Sequence, residues 1–108
     1  MPLTLPRLAP ALKLGDKVAL VAPSGGVDEY AQNQVEQAIA DLGFTPVRHP
    51  HLQLKHHRWA GDDAARAAAL HDCFRDPTIK AIQAVRGGYG CTRLLDLLDY
   101  DLIRHHPK

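Results

Sequence analysis

The sequence predicts an α/β fold in which a small parallel sheet is flanked by helices. Three observations carry this expectation. Short apolar runs at Lys17–Ala22 and Ile79–Val85 are too brief for independent helices and suit buried strands, and Thr45–His49 reads as a second, short strand. Helical patterns at 28–42 and 63–75 lie between them. The third run passes directly into a glycine turn, Gly87-Gly88-Tyr89-Gly90, and then into a leucine pattern.

The elements follow in order. Residues 1–16 are rich in proline without a clean period and read as a leader, ended by the turn signal Gly15-Asp16. Lys17–Ala22 is the first strand, broken by Pro23-Ser24-Gly25-Gly26. Asp28 is placed to cap a helix that runs to Leu42, with Ala31, Val35, Ala38, Ile39 and Leu42 on one stripe. Gly43 stands where a glycine ends a helix, and Pro50 stops the second strand. His51 to Trp59 reads as an irregular polar connection. Gly61 and Asp62 open an alanine-rich helix, Asp63 to Arg75, closed by Asp76-Pro77. After the third strand, Leu94, Leu95 and Leu98 recur at helical spacing and predict an amphipathic helix. Leu102-Ile103 reads as a short helical turn, and His105 and His106 fall at a chain end where order is not expected.

Helices between buried strands call for right-handed crossovers and a strand order of 2-1-3. The expected class is a three-layer, flavodoxin/Rossmann-like parallel sheet, β-α-β-α-β-α, occupying residues 17–108. It reads as half of a doubly wound domain, because the last helix should feed a fourth strand. In such sheets ligands bind outside the carboxyl ends of the strands, so the turns after the first and third strands should line a site.

Composition narrows the function. A formal net charge of +1 leaves no electrostatic footprint for nucleic acid or an anionic membrane. No apolar run approaches the length of a membrane span, and the N-terminus lacks signal-peptide character. Two cysteines, Cys73 and Cys91, are too few for a disulfide scaffold and fit a reducing compartment, with the cytoplasm as the expected location.

The motifs each have two readings. Ser24-Gly25-Gly26 lacks the Gly-Lys-Ser/Thr of a P-loop and the Gly-x-Gly-x-x-Gly of a dinucleotide site. Ser24 either caps a local amide in a tight turn or contacts substrate. Arg86, at the end of a buried strand, needs a partner. That partner is a protein carboxylate or the carboxylate of a ligand held by two parallel bonds. Cys91 stands where a thiol nucleophile would, after a strand and a glycine turn, but it lacks the flanking glycines of a Gly-x-Cys-x-Gly elbow and an assignable histidine base, so packing is the favoured role. Cys73, beside Phe74, reads as core. His49, His51, His56 and His57 lack the paired helical spacing of a zinc site, and a solvated connection is favoured. Trp59 is expected to pack the connection onto the sheet edge.

Taken together, the chain resembles the N-terminal part of the LD-carboxypeptidase (muramoyltetrapeptide carboxypeptidase) family, which includes the microcin-immunity serine peptidases. The resemblance lies in Val-Ala-Pro-Ser-Gly-Gly at 21–26, Trp-Ala-Gly-Asp-Asp-Ala-Ala-Arg-Ala at 59–67 and Asp-Pro at 76–77. It continues through Ala-Val-Arg-Gly-Gly-Tyr-Gly-Cys-Thr-Arg-Leu-Leu at 84–95 and Leu-Asp-Tyr-Asp-Leu-Ile at 98–103. It implies a cytoplasmic serine hydrolase, without metal or cofactor, that removes the terminal D-alanine of murein tetrapeptides in cell-wall recycling. A homodimer of the full-length protein is also implied. The resemblance implies that the Ser-His-Glu triad falls outside these 108 residues, its serine in a Gly-x-Ser-Asp elbow on the next strand. It also implies that the glutamate and histidine lie in a separate C-terminal domain, so that the chain is an incomplete half of a two-domain protein. The chain alone is therefore expected to be inert. What carries over is the Gly87-Gly88 turn, whose backbone N–H groups resemble those of the family's oxyanion hole, with Ser24, Arg86 and Tyr89 as pocket residues by proximity to that turn.

Three other readings stay open. One is a non-catalytic module that binds a small ligand at the Ser24 and Gly87-Gly88 turns. A second is an interaction piece that pairs through a bare sheet edge. A third is a thiol enzyme acting through Cys91.

Overall fold

The computed structural model describes residues 7–57 and 59–108. Strands β1 (Lys17–Val21), β2 (Thr45–Arg48) and β3 (Ile79–Ala84) form one parallel sheet in the order β2-β1-β3, the order expected from the sequence. Lys17 stands opposite Thr45 and Leu20 opposite Arg48 in the β1–β2 pair, while Val18 faces Ala81 and Val21 faces Ala84 in the β1–β3 pair. The first six residues of the expected leader lie outside the described residues. The end of that segment is bound to the domain: Gly15 N–H donates to Gly43 O at 2.7 Å and Thr45 N–H to Asp16 O at 2.9 Å.

β1 is central because its run from Val18 to Ala22 is apolar at every position, and all five residues are buried. Alternate side chains serve opposite faces. Val18, Leu20 and Ala22 pack with Ile39, Leu52 and Ala60, whereas Ala19 and Val21 pack with Cys73 and Ile79. Helix α1 (Glu29–Asp41) supplies Ile39 and helix α2 (Asp63–Arg75) supplies Cys73, so the two helices cover opposite faces and the domain has three layers.

Local signals set the helix ends. The Asp28 carboxylate accepts the Ala31 N–H at 2.8 Å, and the Asp62 carboxylate accepts the Ala65 N–H at 2.7 Å. Gly43 follows α1 in the left-handed conformation, φ +93°. The buried stripe of α1 differs from the expected one. Gln32 and Ile39 are buried with Val35 packed beside them, while Ala38 and Leu42 face solvent. The 32-35-39 spacing keeps helical period, and the Gln32 amide is satisfied by donating to Val27 O at 3.1 Å.

Three further expectations are corrected. The amphipathic helix after β3 is instead a 3-10 segment, Cys91–Leu97, followed by a separate α3 (Tyr100–His105). Gly90 enters this segment without a capping side chain, and i to i+3 bonds from Cys91 N–H to Gly88 O and from Arg93 N–H to Gly90 O tighten the turn. Only Leu94 of the leucine pattern reaches the interior, and Leu95 stands exposed. Asp99 then starts α3 by accepting the Leu102 N–H at 3.1 Å. His105 belongs to α3, so the helical bonding extends further toward the chain end than expected. The connection after β2 is not wholly irregular and polar, because Pro50–Gln53 forms a 3-10 turn that buries His51 and Leu52. No helix among the described residues is long and apolar enough to cross a membrane.

Candidate functional site

Two turns meet beyond the carboxyl ends of the strands: Pro23 to Gly26 after β1, and Arg86 to Gly90 after β3. The β3 chain stays paired past its end, with Val85 N–H donating to Val21 O at 2.7 Å. Ser24 is 1% exposed, and its hydroxyl donates to Arg86 O at 3.3 Å. It therefore ties the turns together rather than capping a local amide. Ser24 O accepts the Ala60 N–H at 3.2 Å, and Gly25 forms an antiparallel bridge with Trp59.

A pocket of about 150 Å³ opens here, lined by Ser24, Gly25, Trp59, Arg86, Gly87 and Tyr89. Four of the five residues singled out from the sequence thus line one cavity, and Gly88 is the next residue in the same turn. Gly88 and Gly90 have φ of +108° and +102°, a conformation that side chains resist. Gly87 has ordinary φ, and a Cβ at Gly87 or Gly88 would meet nothing within 4 Å. The N–H groups of Gly87 and Gly88 donate to no described residue. A turn with unspent amides beside a pocket can accept an anionic oxygen.

Arg86 is exposed and forms no ion pair among the described residues. Exposure removes the desolvation cost that made a fixed partner necessary. The residue borders both the small pocket and a larger cavity of about 570 Å³, whose walls include Asp28, Gln32, Leu54, Lys55 and His57. Its guanidinium is available to a carboxylate at that junction.

Trp59 lies under the glycine turn, stacked on Tyr89 with ring centroids 5.7 Å apart, and a Cβ on Gly90 would come within 2.5 Å of its ring. Arg66 covers the ring at 5.1 Å from its centroid.

Arg66 was not legible as a site residue, yet it is 0% exposed at the centre of this arrangement. Its Nη1 donates to Pro23 O at 2.7 Å and to Gly90 O at 3.2 Å, and its Nη2 donates to the Asp63 carboxylate. The signal that could have found it is positional. Arg66 occupies the inward stripe of α2 with Ala69, Leu70 and Cys73, where a lone charge has to be paired.

His51 was also missed. It is 3% exposed, and Ala22 N–H donates to its Nε2 at 3.0 Å, so the ring hydrogen sits on Nδ1 and donates to Ala60 O at 3.1 Å. Burial pushes its pKa below the ordinary histidine value, and the nearby His49 and Arg66 add to the effect. His49 accepts the His51 N–H and faces Asp72 at 3.0 Å, while His56 and His57 are exposed. Among the described residues no group of three His, Cys, Asp or Glu is placed to hold a metal. Cys91 is half-buried and lines neither cavity. Cys73 is core, its thiol pushed up to about 11 by burial.

Comparison with known proteins gives a consistent result. Residues 18–108 match the family model described as the LD-carboxypeptidase N-terminal domain. A probable murein peptide carboxypeptidase of Bacillus subtilis is 36% identical over 98 residues, which cover 91% of this chain and 31% of that protein. The solved structure of an MccF-like protein from Bacillus anthracis superposes with a TM-score of 0.85 at 34% identity, covering 94% of this chain and 32% of that one. A muramoyltetrapeptide carboxypeptidase from Oxalobacter formigenes gives a TM-score of 0.73 at 26% identity, covering 85% and 31%. The chain spans about a third of the length of each of these relatives.

Proposed function

This chain belongs to the LD-carboxypeptidase family through its N-terminal domain, and from that premise we propose that it forms one wall of the active site of a serine hydrolase. The reaction is release of the terminal D-alanine from murein tetrapeptides during peptidoglycan recycling in the cytoplasm, by a protein that works as a homodimer. Two of the relatives named above, those of Bacillus subtilis and Oxalobacter formigenes, are named for murein peptides, which supports this substrate class.

One observation carries the reading: the unspent N–H groups of Gly87 and Gly88 stand at the pocket lined by Ser24, Arg86 and Tyr89. Attack on the peptide carbonyl puts negative charge on its oxygen only in the transition state. Donors held in place for that charge lower the barrier, and losing one costs a factor of about 10²–10³ in rate. Arg86 binds the carboxylate of the terminal D-alanine, and Tyr89 over Trp59 gives the residue an aromatic floor. Ser24 supports the wall through its bond to Arg86 O. The nucleophile, glutamate and histidine of the family pattern are contributed from outside these 108 residues, which alone bind peptide without hydrolysing it.

The test uses Gly87→Ala, whose methyl meets no protein atom within 4 Å and so leaves folding intact while intruding on the substrate's approach. D-alanine release from a murein tetrapeptide by the full-length enzyme should fall at least about tenfold. Unchanged turnover in Gly87→Ala, or D-alanine release by residues 1–108 alone, would overturn the proposal.

A further inference from the structure

The carbonyl oxygens of Pro23 and Gly90 belong to turns that follow different strands and are far apart in sequence. A single nitrogen, Arg66 Nη1, bonds both, at 2.7 and 3.2 Å. The carbon of the same guanidinium lies over the Trp59 ring, 5.1 Å from its centroid, and that ring stacks on Tyr89 and presses against Gly90. Asp63 holds the other end, and Arg93 shares that carboxylate at 3.1 Å.

We propose that Arg66 is a positioning residue, a buried clamp that holds the Gly87-Gly88 turn at a set distance and angle from the Ser24 turn without touching substrate. The inference rests on the reading of that turn as the site of the developing oxyanion.

The physical case has three parts. A guanidinium is planar and rigid, so two carbonyls, a carboxylate and an aromatic face can be met only in one arrangement. Desolvating a full charge is costly and is not needed to fill space on an alanine-rich helix. Arg66 Nε is moreover the buried side-chain donor left without a partner among the described residues, so the guanidinium is placed for its Nη bonds at the expense of full satisfaction. Backbone donors for an oxyanion act by being fixed before charge develops. Gly87, Gly88 and Gly90 carry no side chains, so the turn is held by the Tyr89 ring on Trp59, by Ser24 at Arg86 O, and at its far end by Arg66 on Gly90 O.

Arg66→Met and Arg66→Lys in the full-length enzyme test this through D-alanine release from a murein tetrapeptide. Methionine keeps the length and loses every bond. Its kcat per folded molecule should fall about 10²-fold while KM moves less than about threefold, because misplacement acts on the transition state. Lysine reaches a carbonyl but cannot form the planar fork, and its kcat should fall between the two. An unchanged kcat in folded Arg66→Met, or a loss confined to KM, overturns the clamp. Should Arg66→Met fail to fold, Arg66→Lys decides by the same criterion. If the unmodified enzyme releases no D-alanine, the proposed function fails and the clamp is judged separately in residues 1–108. There Trp59 is the sole tryptophan, and its acrylamide quenching should rise in Arg66→Met. Quenching equal to that of the unmodified chain overturns the clamp independently of activity.

Discussion

The imidazole of His51 accepts the backbone N–H of Ala22 at 3.0 Å, across 29 residues of sequence, at the point where β1 gives way to the Ser24 turn. Its other nitrogen donates to Ala60 O, next to Trp59. The neutral ring is thus a bridge between the first strand and the wall of the pocket.

Protonation would put a hydrogen on the nitrogen that accepts Ala22. The folded state holds the His51 pKa below its ordinary value, so between the two values the unfolded chain binds more protons. The stability contributed by neutral His51 is complete above about pH 6.5 and is lost as pH falls below that value toward the lowered one. Urea midpoints measured from pH 8 downward should decline in this window. His51→Gln, which has a donor and an acceptor but no titration, should decline less steeply. Equal slopes in the two proteins would remove His51 from the explanation.

The three glycines of the pocket turn should respond in a fixed order. Gly90→Ala adds a methyl 2.5 Å from the Trp59 ring at φ +102°, and a cost of about 2–4 kcal/mol follows from backbone strain plus overpacking. Gly88→Ala meets open space at φ +108° and should cost about 1–2 kcal/mol. Gly87→Ala has neither problem and should stay within about 0.5 kcal/mol of the parent. Denaturant unfolding of the three variants checks the ranking, and a Gly87→Ala loss as large as that of Gly90→Ala would contradict it.

Asp63 neutralises a guanidinium that no water reaches. Asp63→Ala should destabilise the domain by about 2–3 kcal/mol, below the range for a fully buried pair because the Asp63 side chain is 31% exposed. Asp62→Ala, one residue earlier, removes only the cap of α2 and should cost about 1 kcal/mol. Thermal melts of the two variants separate the pair from the cap.

The two thiols should differ in reactivity. Burial holds Cys73 at a pKa of about 11, so about one molecule in a thousand carries the thiolate at pH 8, and the sulfur is also enclosed. Mass spectrometry after brief iodoacetamide treatment at pH 8 should find Cys73 unmodified in the native chain and alkylated in urea, with Cys91 modified first.

Much of the architecture was legible because it is encoded between near neighbours. Asp28 and Asp62 cap helices through amides three residues away, Gly43 ends α1, and the unbroken apolar run after Lys17 marks a strand covered on both faces. These signals mark the helix limits and the central strand. The convergence of Ser24, Arg86, Gly87 and Tyr89 on one pocket follows from the same topology, since both turns lie at the carboxyl ends of adjacent parallel strands. The leucine pattern after β3 misled because the exit from Gly90 is tied by i to i+3 bonds, which periodicity does not express.

By itself, then, the sequence determined the three strands, the two long helices and the order of the sheet. Only the tertiary structure decided which polar groups are inside. Arg66 meets Pro23 and Gly90 across 43 and 24 residues, and Ser24 meets Arg86 across 62. A buried arginine or histidine is stable only where such distant partners satisfy it. Whether they do is a property of the packed chain, not of the residues on either side.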